Sequence, residues 1–350
     1  MERDFIEALV RAFDARNNKN ISLIINIRGK SIPKEHGSIL TEFYDIDEAD
    51  QILSGMKDAG MSVQVYTNET EFLKMKLMGQ NQDLIAFNMG RNGVSLTKKS
   101  LIPMICSANK LKYTGSDAYV TALCRNKFHY TLLLESLGIK VPKTDIHFCG
   151  TKYSTKNMLT TQDLVIVKPA YEAASRGIHN SSILHYSDSH QIKSIVSELS
   201  KEFYNSPVLV QEFIEGFEIE VPIFIFNKKA TALMPVGLSI DNVCCIGNKI
   251  LDYERSAFYD YEFYDYRDEN KKIASDIVRH AERAAMLLGL TGYGRIDFRV
   301  DLNGNFYLID ISTHPFIMEH SSFAFALNKM GVPYSDLFKC IIECSLDEHP

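Results

Sequence analysis

The chain has 350 residues, 45% of them hydrophobic and 23% charged, with a formal net charge of -6. That balance excludes a disordered or fibrous protein, and the scattered lysines and arginines form no basic stripe for a nucleic-acid backbone, so no nucleic-acid partner is expected. No apolar run is long enough to span a bilayer and the start Met-Glu-Arg-Asp-Phe-Ile-Glu lacks a signal-peptide pattern, so the expectation is a cytoplasmic protein with no membrane partner.

Seven cysteines show neither zinc-site nor CxxC spacing and read as reduced, mostly buried thiols. The length allows two or three domains. Ile21 to Ile27 reads as a strand before the breaker Gly29, and Ala49, Ile52, Leu53 and Met56 recur at helical spacing, with Asp45 or Asp47 as caps. Ser62 to Tyr66 is a second strand, Glu69 to Met78 a second helix and Asp83 to Asn88 a third strand. This alternation predicts a parallel, Rossmann-like sheet.

Neither GxGxxG nor GxxxxGK[ST] occurs, so no dinucleotide fingerprint or P-loop accompanies that sheet. Gly90-Arg-Asn-Gly93 follows the third strand at its carboxyl end, where open α/β sheets bind ligands, although an ordinary glycine turn reads the same way. Tyr113-Thr-Gly-Ser116 closes the region. One helix is then expected from about Asp117 to Leu137, carrying Lys127.

Leu164 to Pro169 is a buried strand that ends in Lys168 and runs into the small-residue stretch Ala170 to Gly177. A lysine beside such a loop can hold a phosphate by point charge and backbone N–H groups, or can simply snorkel from a strand end. Val208 to Gly216 and Glu218 to Ile225 are further strands, and Phe258 to Tyr266 is an aromatic, acidic run that reads as a surface loop able to close over a ligand. A helix from Asn270 to Leu288 follows.

Arg295 to Asp301 and Phe306 to Ser312 alternate polar and apolar residues around Asn303-Gly304, which predicts a hairpin with a two-residue turn. Counting outward pairs Asp301 with Phe306, Phe298 with Ile309, Asp297 with Asp310 and Arg295 with Ser312. Ile296, Phe298, Val300, Tyr307, Ile309 and Ile311 then form the core face, and Asp297, Asp310 and Ser312 the other. Facing like charges are destabilising, so the pair needs a proton or a cation, and one or two carboxylates completed by phosphates suit Mg²⁺. A solvated face neutralised by Arg295 is the alternative.

In order and spacing, Lys112 to Ser116, Val165 to Gly177, Val208 to Glu218, Phe258 to Glu262, Tyr293 to Phe298, Leu308 to Ser312 and His320-Ser321 together resemble the ATP-grasp superfamily, within it the D-alanine:D-alanine ligases. The resemblance covers about residues 21 to 340. It implies a mixed α/β and α+β, three-domain ATP-grasp fold: a Rossmann-like domain (1–116), a central subdomain (117–212) and a carboxyl-terminal subdomain holding the metal and substrate site (213–350). It further implies ATP, Mg²⁺ or alternatively Mn²⁺, amino-acid-like substrates and a homodimer.

Carried over by position, the resemblance puts Lys127 and Lys168 on the ATP phosphates and adenine, and Glu172 and Ser175 in the phosphate-covering loop. It puts Gln211, Glu212 and Ile214 against adenine, Glu218 on the ribose and Asp297, Asp310 and Ser312 on magnesium. Arg295 resembles the arginine that stabilises the tetrahedral intermediate or the transferred phosphate, and Ser321 the serine that holds the second substrate's carboxylate.

Several positions depart from the family pattern. Asp310 and Ser312 replace Glu and Asn, Phe316 a glycine, Ala174 a serine and Met89 a histidine. Phe263 to Tyr266 replaces a Lys-Tyr pair, leaving Arg267 or Lys271 as substitutes for the missing lysine, and Glu42 is the nearest counterpart of a substrate-gripping glutamate. These changes cluster around the amino-acid pocket and lid, so the expected activity is ATP-dependent joining of a carboxylate to an amine with a substrate other than D-alanine. A nucleotide-binding sensor or scaffold without ligation, and a true D-alanine:D-alanine ligase, are the alternatives.

Overall fold

The alternating strands and helices of the first hundred residues form a parallel sheet. In the computed structural model, residues 2–28, 42–77, 84–92, 96–148 and 150–348 are described; Gly29, Met78, Asp83 and Gly93, named above, lie outside them. The elements are α1 (Glu2–Asp14), β1 (Asn20–Ile25), α2 (Ile46–Asp58), β2 (Ser62–Tyr66), α3 (Glu69–Leu77), β3 (Ile85–Met89) and α4 (Leu101–Ala108). The sheet order is β2-β1-β3, parallel throughout. Asp45, rather than Asp47, caps α2 in a capping box with Glu48.

The single helix expected over 117–137 is two, α5 (Ala118–Arg125) and α6 (Lys127–Ser136). Asn126 takes an extended backbone (φ -87°, ψ 92°), and its side chain accepts the His129 N–H at 3.1 Å, so the break carries its own cap. Lys127 becomes the first residue of a new helix, with its N–H on the Ala170 carbonyl at 3.2 Å.

The second sheet, ordered β5-β4-β8-β6-β7, contains β4 (Thr144–Phe148), β5 (Thr151–Ser154), β6 (Leu164–Pro169), β7 (Ile183–His185) and β8 (Val208–Glu212), with α7 (Ser189–Glu202) packed on it. The third has β9 (Phe217–Phe226), β10 (Lys229–Ala232), β11 (Val236–Ser239), β12 (Glu262–Asp265), β13 (Gly292–Val300) and β14 (Phe306–Ser312), ordered β12-β11-β9-β13-β14 with β10 beside β9. Around it lie α8 (Tyr253–Phe258), α9 (Lys271–Leu288), α10 (Ser322–Lys329) and α11 (Tyr334–Glu348). The pairings of these two sheets are antiparallel.

Ile277, Ala281, Ala284 and Leu288 of α9 pack on the inner residues of β9 and β13 in one core. Leu337, Phe338 and Ile341 of α11 join a different core, shared with Ile21, Leu23 and Phe87 of the first sheet. Among the described residues no helix is long and apolar enough to cross a membrane, and the six described cysteines are free.

The β13–β14 hairpin departs from the counted register twice. Gly304, at φ +82°, sits in the left-handed region, its N–H on the Asp301 carbonyl (3.0 Å), while the Asp301 N–H donates to the Asn305 carbonyl (2.8 Å). The loop is therefore three residues long rather than two. Phe298 faces Leu308 instead of Ile309, and Val300, not Asp301, faces Phe306. A bulge then leaves Ile309 unpaired and restores the count, so Asp297 does face Asp310 and Arg295 does face Ser312. As a result Leu308 and Ile311 complete the core, while Ile309 turns to the opposite face.

Candidate active site

All thirteen candidate residues, Lys127, Lys168, Glu172, Ser175, Gln211, Glu212, Ile214, Glu218, Arg295, Asp297, Asp310, Ser312 and Ser321, line one cleft of about 300 Å³. It lies between the second sheet, through β6 and β8, and the third, through β9, β13 and β14. Because side chains alternate along a strand, Glu218 and Glu220 of β9 and Arg295, Asp297 and Arg299 of β13 all face the cleft.

Glu220, Asp297 and Asp310 stand directly opposite one another on three neighbouring strands. Arg295 holds the first two together. Its guanidinium donates to Asp297 Oδ1 (2.8 Å) and Oδ2 (2.7 Å) and reaches Glu220 Oε1 at 2.9 Å. Burial, opposed by Arg295 and reinforced by Glu220 and Asp310, pushes Asp297 up to about 7. Asp310 takes a different cation: Lys127 Nζ lies 2.5 Å from its Oδ1, and the Tyr130 hydroxyl donates to it at 3.0 Å. Against the cost of burial, Lys127 and Lys168 hold Asp310 below the usual carboxylate range. Lys168 itself is lowered to about 8, first by burial and then by Lys127.

At the other end of the cleft, much of the expected nucleotide set is engaged within the protein. Gln211 donates to Thr144 Oγ1 (2.9 Å), Glu212 accepts the Lys143 N–H (3.2 Å) and the Ile214 carbonyl accepts Arg299 Nε (2.8 Å). Glu218 pairs with Arg299 at 2.8 Å. In the loop between β6 and β7, Ala174 (φ 55°) and Ser175 (φ 53°) both take the left-handed conformation, an uncommon state for non-glycine residues. The Ser175 hydroxyl donates to the Leu251 carbonyl at 2.7 Å.

The aromatic run is partly ordered as α8 and β12, not a loop throughout. Tyr259, Tyr261 and Phe263 line the cleft, with His320 ring-stacked among them at 4.9–5.3 Å. The Tyr259 hydroxyl reaches Glu48 of α2 at 2.7 Å. Phe316 also lines the cleft, and Ser321 caps α10, accepting the Ala324 N–H at 3.2 Å. Neither substitute for the missing lysine is there: Arg267 is turned onto Asp265 at 2.6 Å, and neither it nor Lys271 lines the cleft. A carboxylate two residues away captures the guanidinium first.

Sequence reasoning missed most of a second cluster. Glu42 is buried between Lys98 (2.5 Å), Arg125 (3.2 Å) and Arg176 (3.5 Å), and Glu172 meets the same three cations. Although burial opposes it, Arg125 and Lys98 hold the Glu42 carboxyl well below its usual range. Arg91, Lys99 and His314 line the cleft beside it. These residues come from six separated segments, and only the Lys98-Lys99 and Gly90-Arg91 pairs are visible as local signals.

Among the described residues no three His, Cys, Asp or Glu side chains make a self-sufficient metal site. Two carboxylates and a hydroxyl on adjacent strands fit Mg²⁺, which keeps water and takes substrate phosphates for the rest of its shell.

The family described as the D-ala D-ala ligase C-terminus matches residues 136–343. A D-alanine–D-alanine ligase from Bordetella petrii is 27% identical over 286 residues, 81% of this chain and 82% of that protein. The ATP complex of the D-alanine–D-alanine ligase from Bacillus anthracis superposes with a TM-score of 0.68 at 17% identity, covering 94% of this chain and 97% of that one. The Coxiella burnetii enzyme gives 0.65 at 16%, covering 94% and 96%. At such identities the structural likeness establishes the fold, which is ATP-grasp.

Proposed function

The chain belongs to the D-alanine–D-alanine ligase family, and from that membership we propose that it joins an amino-acid-like carboxylate to an amine through an acyl phosphate, with at least one substrate other than D-alanine. As a family member it is an ATP-grasp ligase that forms carbon–nitrogen bonds with ATP and Mg²⁺. A carboxylate oxygen attacks the γ-phosphorus as the bond to the bridging oxygen breaks and ADP leaves. The amine then attacks the acyl carbon, and phosphate leaves as the amine nitrogen loses a proton.

The observation that carries the reading is the convergence of the facing pair Asp297 and Asp310 with Arg295, Lys127 and Lys168 in one cleft. Asp297, Asp310 and Ser312 would hold Mg²⁺, which supplies positive charge where the phosphoryl group transfers. The Lys168 ammonium makes no hydrogen bond or ion pair among the described residues, so it is free for phosphate oxygens. Arg295, bridging two carboxylates, offers a fixed positive group to charge developing at the reacting centre. Glu172 and Ser175 belong to the covering loop, Gln211, Glu212, Ile214 and Glu218 border the nucleoside end, and Ser321 borders the second substrate.

A substrate other than D-alanine is supported by Tyr259, Tyr261, Phe263 and Phe316, four aromatic rings that line the cleft. A second reading, D-alanine:D-alanine ligation itself, is favoured by the name of the Bordetella relative. A combinatorial screen of carboxylates and amines with ATP and Mg²⁺, read by phosphate release and product mass, decides between them. Condensation of non-D-alanine substrates supports the proposal, and D-alanyl-D-alanine as sole product favours the second reading. Tight ATP binding without turnover across the panel overturns both and points to a sensor or scaffold.

A further inference from the structure

The wall of the cleft nearest the first sheet holds more positive charge than its own carboxylates balance. Glu42 and Glu172 are shared among Lys98, Arg125 and Arg176, two carboxylates against three cations. Arg91 and Lys99 are left over. The Arg91 guanidinium lies 4.4 Å from the Tyr44 ring centre and donates to backbone carbonyls of Glu42 (3.3 Å) and His314 (3.4 Å), with no carboxylate partner among the described residues. Lys99 is 8% exposed, lines the cleft, and makes no hydrogen bond or ion pair among the described residues.

A buried ammonium without a partner is costly. Burial first, then repulsion from Arg91, Arg125 and Lys98, hold Lys99 well below the usual lysine range, and the attraction of Glu42 offsets this only in part. An anion entering this wall relieves the repulsion and gives Lys99 its missing acceptor.

We propose that Lys99 and Arg91 form a subsite for an anionic group on the substrate, a carboxylate beyond the one that reacts, so that one of the two joined compounds is an acidic amino acid or a related dicarboxylate. The inference rests on the reading of the chain as a carboxylate–amine ligase and narrows its substrate class.

The test compares isosteric pairs, glutamate with glutamine and aspartate with asparagine in both stereochemical forms, as substrates of the full chain with ATP and Mg²⁺. The acidic member of at least one pair should show the lower KM. Lys99→Met should raise that KM about tenfold or more, as loss of a hydrogen bond to a charged group implies, with kcat and the KM for ATP little changed. Lys99→Arg should restore most of the difference, and Lys99→Gln serves if the methionine variant does not fold. Preference for the neutral members, or a rise confined to the KM for ATP, overturns the subsite.

A binding measurement separates this from failure of the ligase reading itself. Glutarate is titrated calorimetrically into the wild type and Lys99→Met, each with a non-hydrolysable ATP analogue. Binding by the wild type that weakens in the variant supports the subsite even where no substrate turns over, and absence of wild-type binding overturns it.

Discussion

Asp297 and Asp310 face each other across β13 and β14, yet each is held by a different cation, Arg295 on the same strand as Asp297 and Lys127 at the start of α6. The repulsion expected of two opposed carboxylates is thus divided between two elements.

Asp297→Asn keeps the shape of the side chain but removes its charge. Phosphate release from ATP should fall by on the order of a hundredfold or more, the cost typical of losing one preorganised electrostatic group. Circular dichroism and ATP-binding calorimetry check that the variant folds and binds, and full turnover would remove Asp297 from the metal site.

ATP affinity should weaken as pH rises through about 8. The Lys168 ammonium, lowered to about 8 by burial and by Lys127, loses its proton in that range, and the neutral amine no longer attracts phosphate. Binding near pH 8 should therefore take up protons. Calorimetry in buffers of different ionisation enthalpy measures the uptake, and Lys168→Met should abolish it.

Glu42→Gln should destabilise the fold by about 3–5 kcal/mol, because it leaves Lys98 and Arg125 buried around a neutral amide. Its charged form is favoured in the folded state, so its stabilisation is present above the unfolded carboxyl range and lost as pH falls through the depressed folded value. Chemical denaturation at neutral and acid pH should show the wild type and variant converging on the acid side.

Tyr259→Phe removes the hydrogen bond to Glu48 that ties α8 to α2. The stability cost should be only about 1 kcal/mol, but amide hydrogen exchange across 253–265 should quicken. Unchanged exchange would mean that ring packing against Phe316 and His320 holds the segment instead.

The pairing of Asp297 with Asp310 was legible in the sequence for a reason that counting alone does not supply. Asn303-Gly304 implied a two-residue turn, but Gly304 takes the left-handed position after a three-residue loop, and the unpaired Ile309 cancels the offset. A bulge has no signature in an alternating run, so the core assignment of Ile309 failed while the acid pair survived. The break at Asn126 was likewise hidden, because apolar residues continue at helical spacing through it. The strand–helix alternation of the first sheet and the alternation along β13 followed from periodicity. The Glu42 cluster did not, since long-range packing, not local pattern, assembles it.

The placement of α11 has a consequence for how the polypeptide matures. Leu337, Phe338 and Ile341 close the apolar layer beneath the first sheet, although α11 follows the strands of that sheet by most of the chain described. During synthesis the sheet must keep part of its underside wet until residues 334–348 have been added. Truncations that remove α11 should therefore aggregate through the first sheet rather than merely lose activity.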